Sequence, residues 1–461
     1  MFKLDVAVTP KFRLLVLNSY GFLPVKDGGH ERCFNLYCQL SKKIDVTIVS
    51  LNLENKYSNI ENRADMDNFM YIDIPLESSQ ISLAHKIGNQ LKSGSWDLAK
   101  MLAYEEKSNT TRYIHKLIQS HDLVVLAHPW MYPYVHGAQT PILYDAHNNE
   151  FEAFKNYYGS DSIDAEIAKF AEDKVLNKAD YLTACSENDL LSLVSRTERT
   201  VLKKVIQNGS KERQKIANNN SQSRDLVFIG SGHYPNVQAA EVICEMALKL
   251  KQYNFYLIGT VGLALNRKVP KNVFIKGYIS DNQLDGILNS SLALLNPMMM
   301  GSGTHLKIPR ALSMGLPIIS TEIGARGVNQ PKKNGFLICE EFSEFEKALL
   351  FLTNDENWQK KSNEAKKLFD EFNWLHISHD FENFITNNCL NPLFEKKFTE
   401  QFEHSYQKGN KRIGVLRYIW QLLPIRFRRR FWDKIYPKYL RYKNRNLDID
   451  NHFSNFKTTF S

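Results

Sequence analysis

The chain has 461 residues, 43% hydrophobic and 24% charged. It is too long for one ordinary core and too apolar to be disordered. The formal charge of +9 is uneven: Lys411 to Arg445 holds twelve Lys/Arg and one acid, so the body is near neutral and the tail carries the excess. Six cysteines (Cys33, Cys38, Cys185, Cys244, Cys339, Cys389) stand apart without a CxxC pair. That spacing fits free buried thiols in a reducing compartment.

The opening "MFKLDVAVTPKFRLLVLNSYG" has only a short apolar run and no small-residue cleavage site, so it reads as a first strand rather than a signal peptide. No window reaches about 18 uninterrupted apolar residues, the length a spanning helix needs. Short β-rich runs follow: "FRLLVLN", "IDVTIVSL", "MYIDIPL", "HDLVVLAH", "PILYDAH" and "ADYLTACS". Helical patterns at 31–41, 109–120 and 163–177 alternate with them, the pattern of βαβ units and a parallel sheet. Gly28 and Gly29 fall between the first strand and the first helix, where such a sheet presents its ligand.

A polar stretch, "QNGSKERQKIANNNSQSRD", is the linker. A second strand series then runs "DLVFIGS", "NFYLIGT", "VFIKGYI", "LALLNP", "LPIIST" and "NGFLICE", with helices at 237–251, 281–289 and 306–314 and last helices at about 344–387. The expected organisation is an N-terminal domain over 1–210, a second parallel-sheet domain over 225–390, and a basic aromatic tail over 391–461. Two such domains imply a cleft, where small ligands preferentially bind.

The stretch "NPMMMGSGTHLKIPRALSMGLPIIST" carries the chemistry. Glycines at 301 and 303 let backbone N–H groups face a phosphate, and the helix after them adds its positive end. Lys307 in its first turn adds a mobile cation. A plain turn between strand and helix is the equally simple reading of the spacing.

"GSGTHLKIPRALSMGLPIISTEIGARGV" resembles the donor-site block of retaining GT-B glycosyltransferases of family four (glycosyl transferases group 1), in the branch with GSGT. "DGGHER", "LYDAHNNEFE", "ADYLTACSENDL", "VIQNGS", "VFIGSGHYPNVQAAE", "FIKGYISD" and "EFNW" follow the family's order across roughly 13–388. The resemblance implies two Rossmann-like domains facing across a cleft, with the nucleotide sugar on the second and a carbohydrate acceptor on the first. It implies transfer with retention of anomeric configuration, with no bound metal and no cofactor beyond the nucleotide-sugar substrate.

Carried onto this chain, Gly301, Ser302, Gly303, Thr304, His305 and Lys307 cradle the diphosphate. Gly230 lies in the first turn of the second domain, Gly277 and Tyr278 face the base, and Gly28 and Gly29 close the site from the other domain. His147 in "DAHN" falls near the sugar, with His128 a weaker candidate; Asp145 and Glu150 are read as fold-holding partners. Two departures stand out. Where many members carry a ribose-binding glutamate this chain has Arg310, and the "GSGHYPN" loop lacks the Arg and Lys that others place on the diphosphate. Arg310 is therefore expected to supply the missing phosphate contact, unless the site is degenerate and the chain is a scaffold or partner subunit that does not transfer.

Asp65-Met66-Asp67 and Asp448-Ile449-Asp450 sit in polar, strand-poor segments and read as surface rather than as metal pairs. In the tail, "IGVLRYIWQLL" and "IRFRRRFWDKIYPKYLRYK" are amphipathic and too short to span a bilayer. They point to a cytoplasmic protein bound peripherally to an anionic inner membrane surface, with a lipid-linked acceptor in surface polysaccharide or glycoconjugate synthesis and no nucleic-acid partner.

Overall fold

The computed structural model describes residues 12–21, 23, 25, 28–52, 60–62, 68–213, 219–300, 305–390 and 448–460. Two sheets organise them. The first comprises β1 (Arg13–Asn18), β2 (Asp45–Asn52), β3 (Ile60–Asn62), β4 (Phe69–Pro75), β5 (Leu123–Leu126), β6 (Ile142–Ala146), β7 (Tyr181–Ala184) and β8 (Leu202–Val205). Their spatial order is β3-β4-β2-β1-β5-β6-β7-β8, parallel except for the short antiparallel pairing of β3 on β4. The second comprises β9 (Asp225–Ile229), β10 (Asn254–Ile258), β11 (Val273–Gly277), β12 (Ala293–Asn296), β13 (Ile318–Ser320) and β14 (Phe336–Ile338), all parallel in the order β11-β10-β9-β12-β13-β14.

The central strands are mostly apolar along their whole length because helices cover both faces. On β1, Leu15 and Leu17 face one buried cluster while Leu14 and Val16 face another across the sheet. All six cysteines are buried and free. The strand β8, "LKKV", was not evident from hydropathy: it is an edge strand whose first two residues are exposed, and its lysines discourage pairing with another chain.

The chain returns from the second domain to the first. Ser210 donates its N–H to Phe372 O at 2.8 Å, and Trp374 donates back to Ser210 O at 3.1 Å. A Cβ on Gly209 would stand 2.7 Å from Phe372 O, so only glycine lets the linker pass this strand-like contact. The helix Trp374–Phe384 then packs Trp374, Ile377 and Phe381 among Cys33, Leu36 and Tyr37 of the first domain. Residues 374–390, assigned by sequence to the second domain, thus complete the core of the first.

The final helix, Ile449–Thr459, docks on the same domain. Phe453 and Phe456 pack edge-on against Phe170, Phe460 meets Tyr104 at 5.5 Å, and Lys457 Nζ lies 2.7 Å from Glu166 Oε1. Asp448 caps this helix by accepting the N–H groups of Asp450 and Asn451. The basic stretch Lys411 to Arg445 lies outside the described residues. Among those described, no helix is long and apolar enough to cross a membrane.

Candidate functional site

Both sheets turn their C-terminal strand ends toward the cleft, the edge at which open α/β sheets bind ligands. On the first domain, β6 ends in Asp145, Ala146 and then His147. Asp145 is fully buried and heavily partnered: Arg32 Nη2 donates to Oδ1 at 2.6 Å, Thr183 Oγ1 at 2.8 Å, and Tyr37 OH to Oδ2 at 3.0 Å. Arg32, on the helix Gly28–Leu40, also donates to Ile206 O at 2.8 Å and Asn208 Oδ1 at 3.1 Å, tying that helix to the strand ends. Burial would raise the Asp145 carboxyl, but the Arg32 guanidinium and the neighbouring His147 hold it far below the usual range. It is a fixed anion.

His147 Nε2 stands 3.5 Å from Asp145 Oδ2, the nearest polar contact of a side chain whose ring nitrogens, among the described residues, make no well-formed hydrogen bond although it is buried. Burial lowers the His147 pKa to about 4, so the ring is neutral at physiological pH. The His128 ring lies 4.6 Å away; its Nε2 meets Tyr20 OH at 3.2 Å and its Nδ1 faces Glu150 Oε1 at 3.7 Å.

On the second domain, Lys307 begins the helix Lys307–Met314 and is 9% exposed. Its Nζ donates to Asn236 Oδ1 at 3.1 Å and stands 4.0 Å from the Phe228 ring centroid. Among the described residues no carboxylate pairs with it, and burial lowers its pKa to about 7. His305, just before, is held down to about 3 by burial and by the charges of Lys307 and Arg326. Gly230 follows β9 beside Asn236, and Gly259 (φ +91°) packs so closely on Gly230 that any side chain there would collide with its carbonyl. Gly277 (φ +60°) ends β11 and Tyr278 beyond it is 78% exposed. Gly301, Ser302, Gly303 and Thr304 lie outside the described residues, and Gly28 and Gly29 open the first helix.

The two walls approach each other. The Tyr157 ring of the first domain meets the His233 ring of the second at 5.0 Å, and Glu150 faces His233 electrostatically. A cavity of about 340 Å³ lies between Asn188 on one side and Ile323, Arg326 and Val328 on the other.

Arg310, which the sequence led us to expect on phosphate, is seated on a carboxylate pair. Its Nη1 donates to Asp281 Oδ1 at 2.9 Å and its Nη2 to Asp285 Oδ1 at 2.6 Å and Asp281 O at 3.2 Å. Arg213 from the linker holds the same two carboxylates, at 2.6 Å to Asp285 Oδ2 and 3.3 Å to Asp281 Oδ2. Asp281 and Asp285 lie one turn apart on the helix Asp281–Ser290, and this carboxylate pair takes the guanidinium that was expected to hold phosphate. Asn236 is the contact that sequence reading missed. The "YPN" at the start of the helix Tyr234–Lys249 was its only signal.

Residues 223–355 match the family described as glycosyl transferases group 1. No curated protein matches the chain. Sucrose-phosphate synthase from Thermosynechococcus elongatus superposes with a TM-score of 0.61 at 12% identity, covering 84% of this chain and 99% of its own. Anabaena HepE in complex with UDP-glucose gives 0.58 at 13% identity over 81% and 99%. An E. coli trehalose-6-phosphate structure bound with UDP-2-fluoro glucose gives 0.58 at 12% over 81% and 99%. The fold is GT-B. In this GT-B frame the matched segment is the second sheet with Lys307, and His147 stands on the facing domain.

Proposed function

We propose that the chain transfers a sugar from a nucleoside-diphosphate sugar to a carbohydrate acceptor, with retention of anomeric configuration. The observation that carries this reading is Lys307: a buried ammonium with no carboxylate partner among the described residues, at a helix start on the C-terminal edge of a parallel sheet. Such a cation is costly to bury, and an anionic ligand would offset that cost. The match over 223–355 and the GT-B fold support the same reading.

In the proposed reaction the leaving diphosphate gains negative charge, which Lys307 stabilises from a fixed position. Neutral His147 offers a donor and an acceptor to sugar hydroxyls. Gly277 and Tyr278 are assigned to the base, His305 and 301–304 to the phosphates, and Gly28 and Gly29 to the opposite lip.

Lys307→Ala should lower turnover by about a hundredfold, as removal of one preorganised charge stabiliser does. Turnover near wild type would sink the donor-site assignment. The anomeric configuration of the product, followed by NMR, decides on retention. If nucleotide sugars bind but no acceptor turns over, the chain is a binding scaffold rather than a transferase.

The basic stretch Lys411 to Arg445 is proposed to hold the protein on an anionic membrane surface at the cytoplasmic face, where a lipid-linked acceptor would share it. Truncation is the wrong test, because it also removes the Phe453 and Phe456 helix from the first domain. Neutralising Arg426, Arg428, Arg429 and Arg430 instead should abolish flotation with anionic vesicles and leave the melting temperature unchanged. Unchanged flotation would refute the membrane role.

A further inference from the structure

His233 occupies a position whose usual chemistry its side chain does not perform. It is the N-cap of the helix Tyr234–Lys249, where Ser, Thr, Asp or Asn would accept a backbone N–H, yet its ring makes no capping bond. Only its carbonyl serves the helix, accepting from Asn236 N at 2.9 Å and Val237 N at 3.1 Å. The ring meets the Tyr157 ring of the first domain instead, at 5.0 Å between centroids and 83° between planes, an edge-to-face contact. The loop that lacks an Arg and a Lys for the diphosphate thus touches the opposite wall.

Both partners stand on firm supports. Tyr157 lies in the last turn of the helix Glu150–Tyr158, whose start follows closely on His147. Buried Glu172 accepts the N–H groups of Glu150 at 2.8 Å and Phe151 at 3.2 Å, which bolts that helix to the first domain. On the other side, Asn236 accepts the Lys307 ammonium at 3.1 Å. Gly230 packs so closely on Asn236 that an added Cβ would lie 3.0 Å from its side chain. A turn this tight passes any shift of His233 to the residue that seats Lys307.

We propose that the Tyr157–His233 ring contact is an interdomain clasp, made by two positioning residues, that holds the 230–236 turn and, through Asn236, the Lys307 ammonium in place for a nucleoside diphosphate. This rests on the donor-site reading above, and it ties the helix that follows His147 to the seat of Lys307.

Tyr157→Ala, Tyr157→Phe and His233→Ala separate the ring from the hydroxyl and one partner from the other. In ligand-free protein carrying isotope-labelled histidine, the His233 resonance, assigned by its loss in His233→Ala, should move in Tyr157→Ala. It should keep its wild-type position in Tyr157→Phe, because the ring and not the hydroxyl makes the contact. UDP-glucose, measured by calorimetry, should bind about fivefold more weakly to Tyr157→Ala and to His233→Ala, as loss of one aromatic pair gives. Tyr157→Phe should bind it as wild type does. The double variant should be no weaker than either single one, since the second substitution removes a contact already lost. A His233 resonance indifferent to Tyr157→Ala would overturn the proposal, and so would losses that multiply to about 25-fold in the double variant. If wild-type protein binds no UDP-glucose, the donor reading falls, and the histidine spectrum still decides whether the clasp exists.

Discussion

Lys307 Nζ stands 4.0 Å from the centroid of the Phe228 ring, so this cation rests on an aromatic face and, among the described residues, has no carboxylate partner. A cation–π contact and one amide oxygen compensate a buried ammonium only in part, which is why its pKa falls to about 7. A site built this way keeps its positive charge available to whatever anion arrives.

Nucleotide binding should therefore take up a proton. The folded pKa is lowered, so free Lys307 loses its charge as pH rises through about 7, whereas the diphosphate complex favours the charged form. Affinity should be flat below that pH and fall by up to about tenfold per unit above it. The calorimetric enthalpy should depend on the ionisation enthalpy of the buffer. Lys307→Arg should remove both effects, and a pH-independent affinity in the wild type would show that Lys307 does not meet the phosphate.

For His147 the sign runs toward acid. Its folded pKa of about 4 lies below the usual histidine value, so the unfolded chain binds a proton first as pH drops. This group's contribution to stability is complete above about pH 6.5 and is lost as pH falls toward about 4. His147→Ala should flatten that part of the stability profile and lower turnover by about a hundredfold. A wild-type rate would remove His147 from the reaction.

Arg310→Glu sets a third carboxylate against Asp281 and Asp285. Because Asp281 is 70% exposed, the loss is discounted to about 1–2 kcal/mol, read as a melting temperature lower by about 4 °C. Tighter nucleotide binding in this variant would mean that the arginine obstructs the site.

Asp145→Asn should be far more damaging than any of these. It leaves the Arg32 guanidinium buried without its counter-charge, at a cost of about 3–5 kcal/mol, and it loosens the helix Gly28–Leu40 from the strand ends. Chemical denaturation would show the loss directly.

Much of the fold was legible because parallel strands covered on both faces are continuous apolar runs, as in "LVVL" and "ALLN". The strand β8 was not, because an edge strand is selected for polarity rather than against it. Lys307 could be named from its place after a glycine turn, yet its aromatic seat could not, since Phe228 lies at the end of a distant strand. Arg310 shows the limit most clearly. Its position suggested a ligand contact, and the partners the structure shows, Asp281 and Asp285, come from a helix more than twenty residues earlier. Sequence spacing reports which residues share a helix face and says little about which neighbouring helix offers them a carboxylate.

The return of the chain to the first domain has a consequence for how the protein is made. That domain's core needs Trp374, Ile377 and Phe381, then Phe453, Phe456 and Phe460, all synthesised after the whole second sheet. During translation the second domain can close its own core first, while the earlier one waits with apolar surface uncovered. The N-terminal half should therefore be the last to become protease-resistant, reversing the usual order in which domains mature on the ribosome.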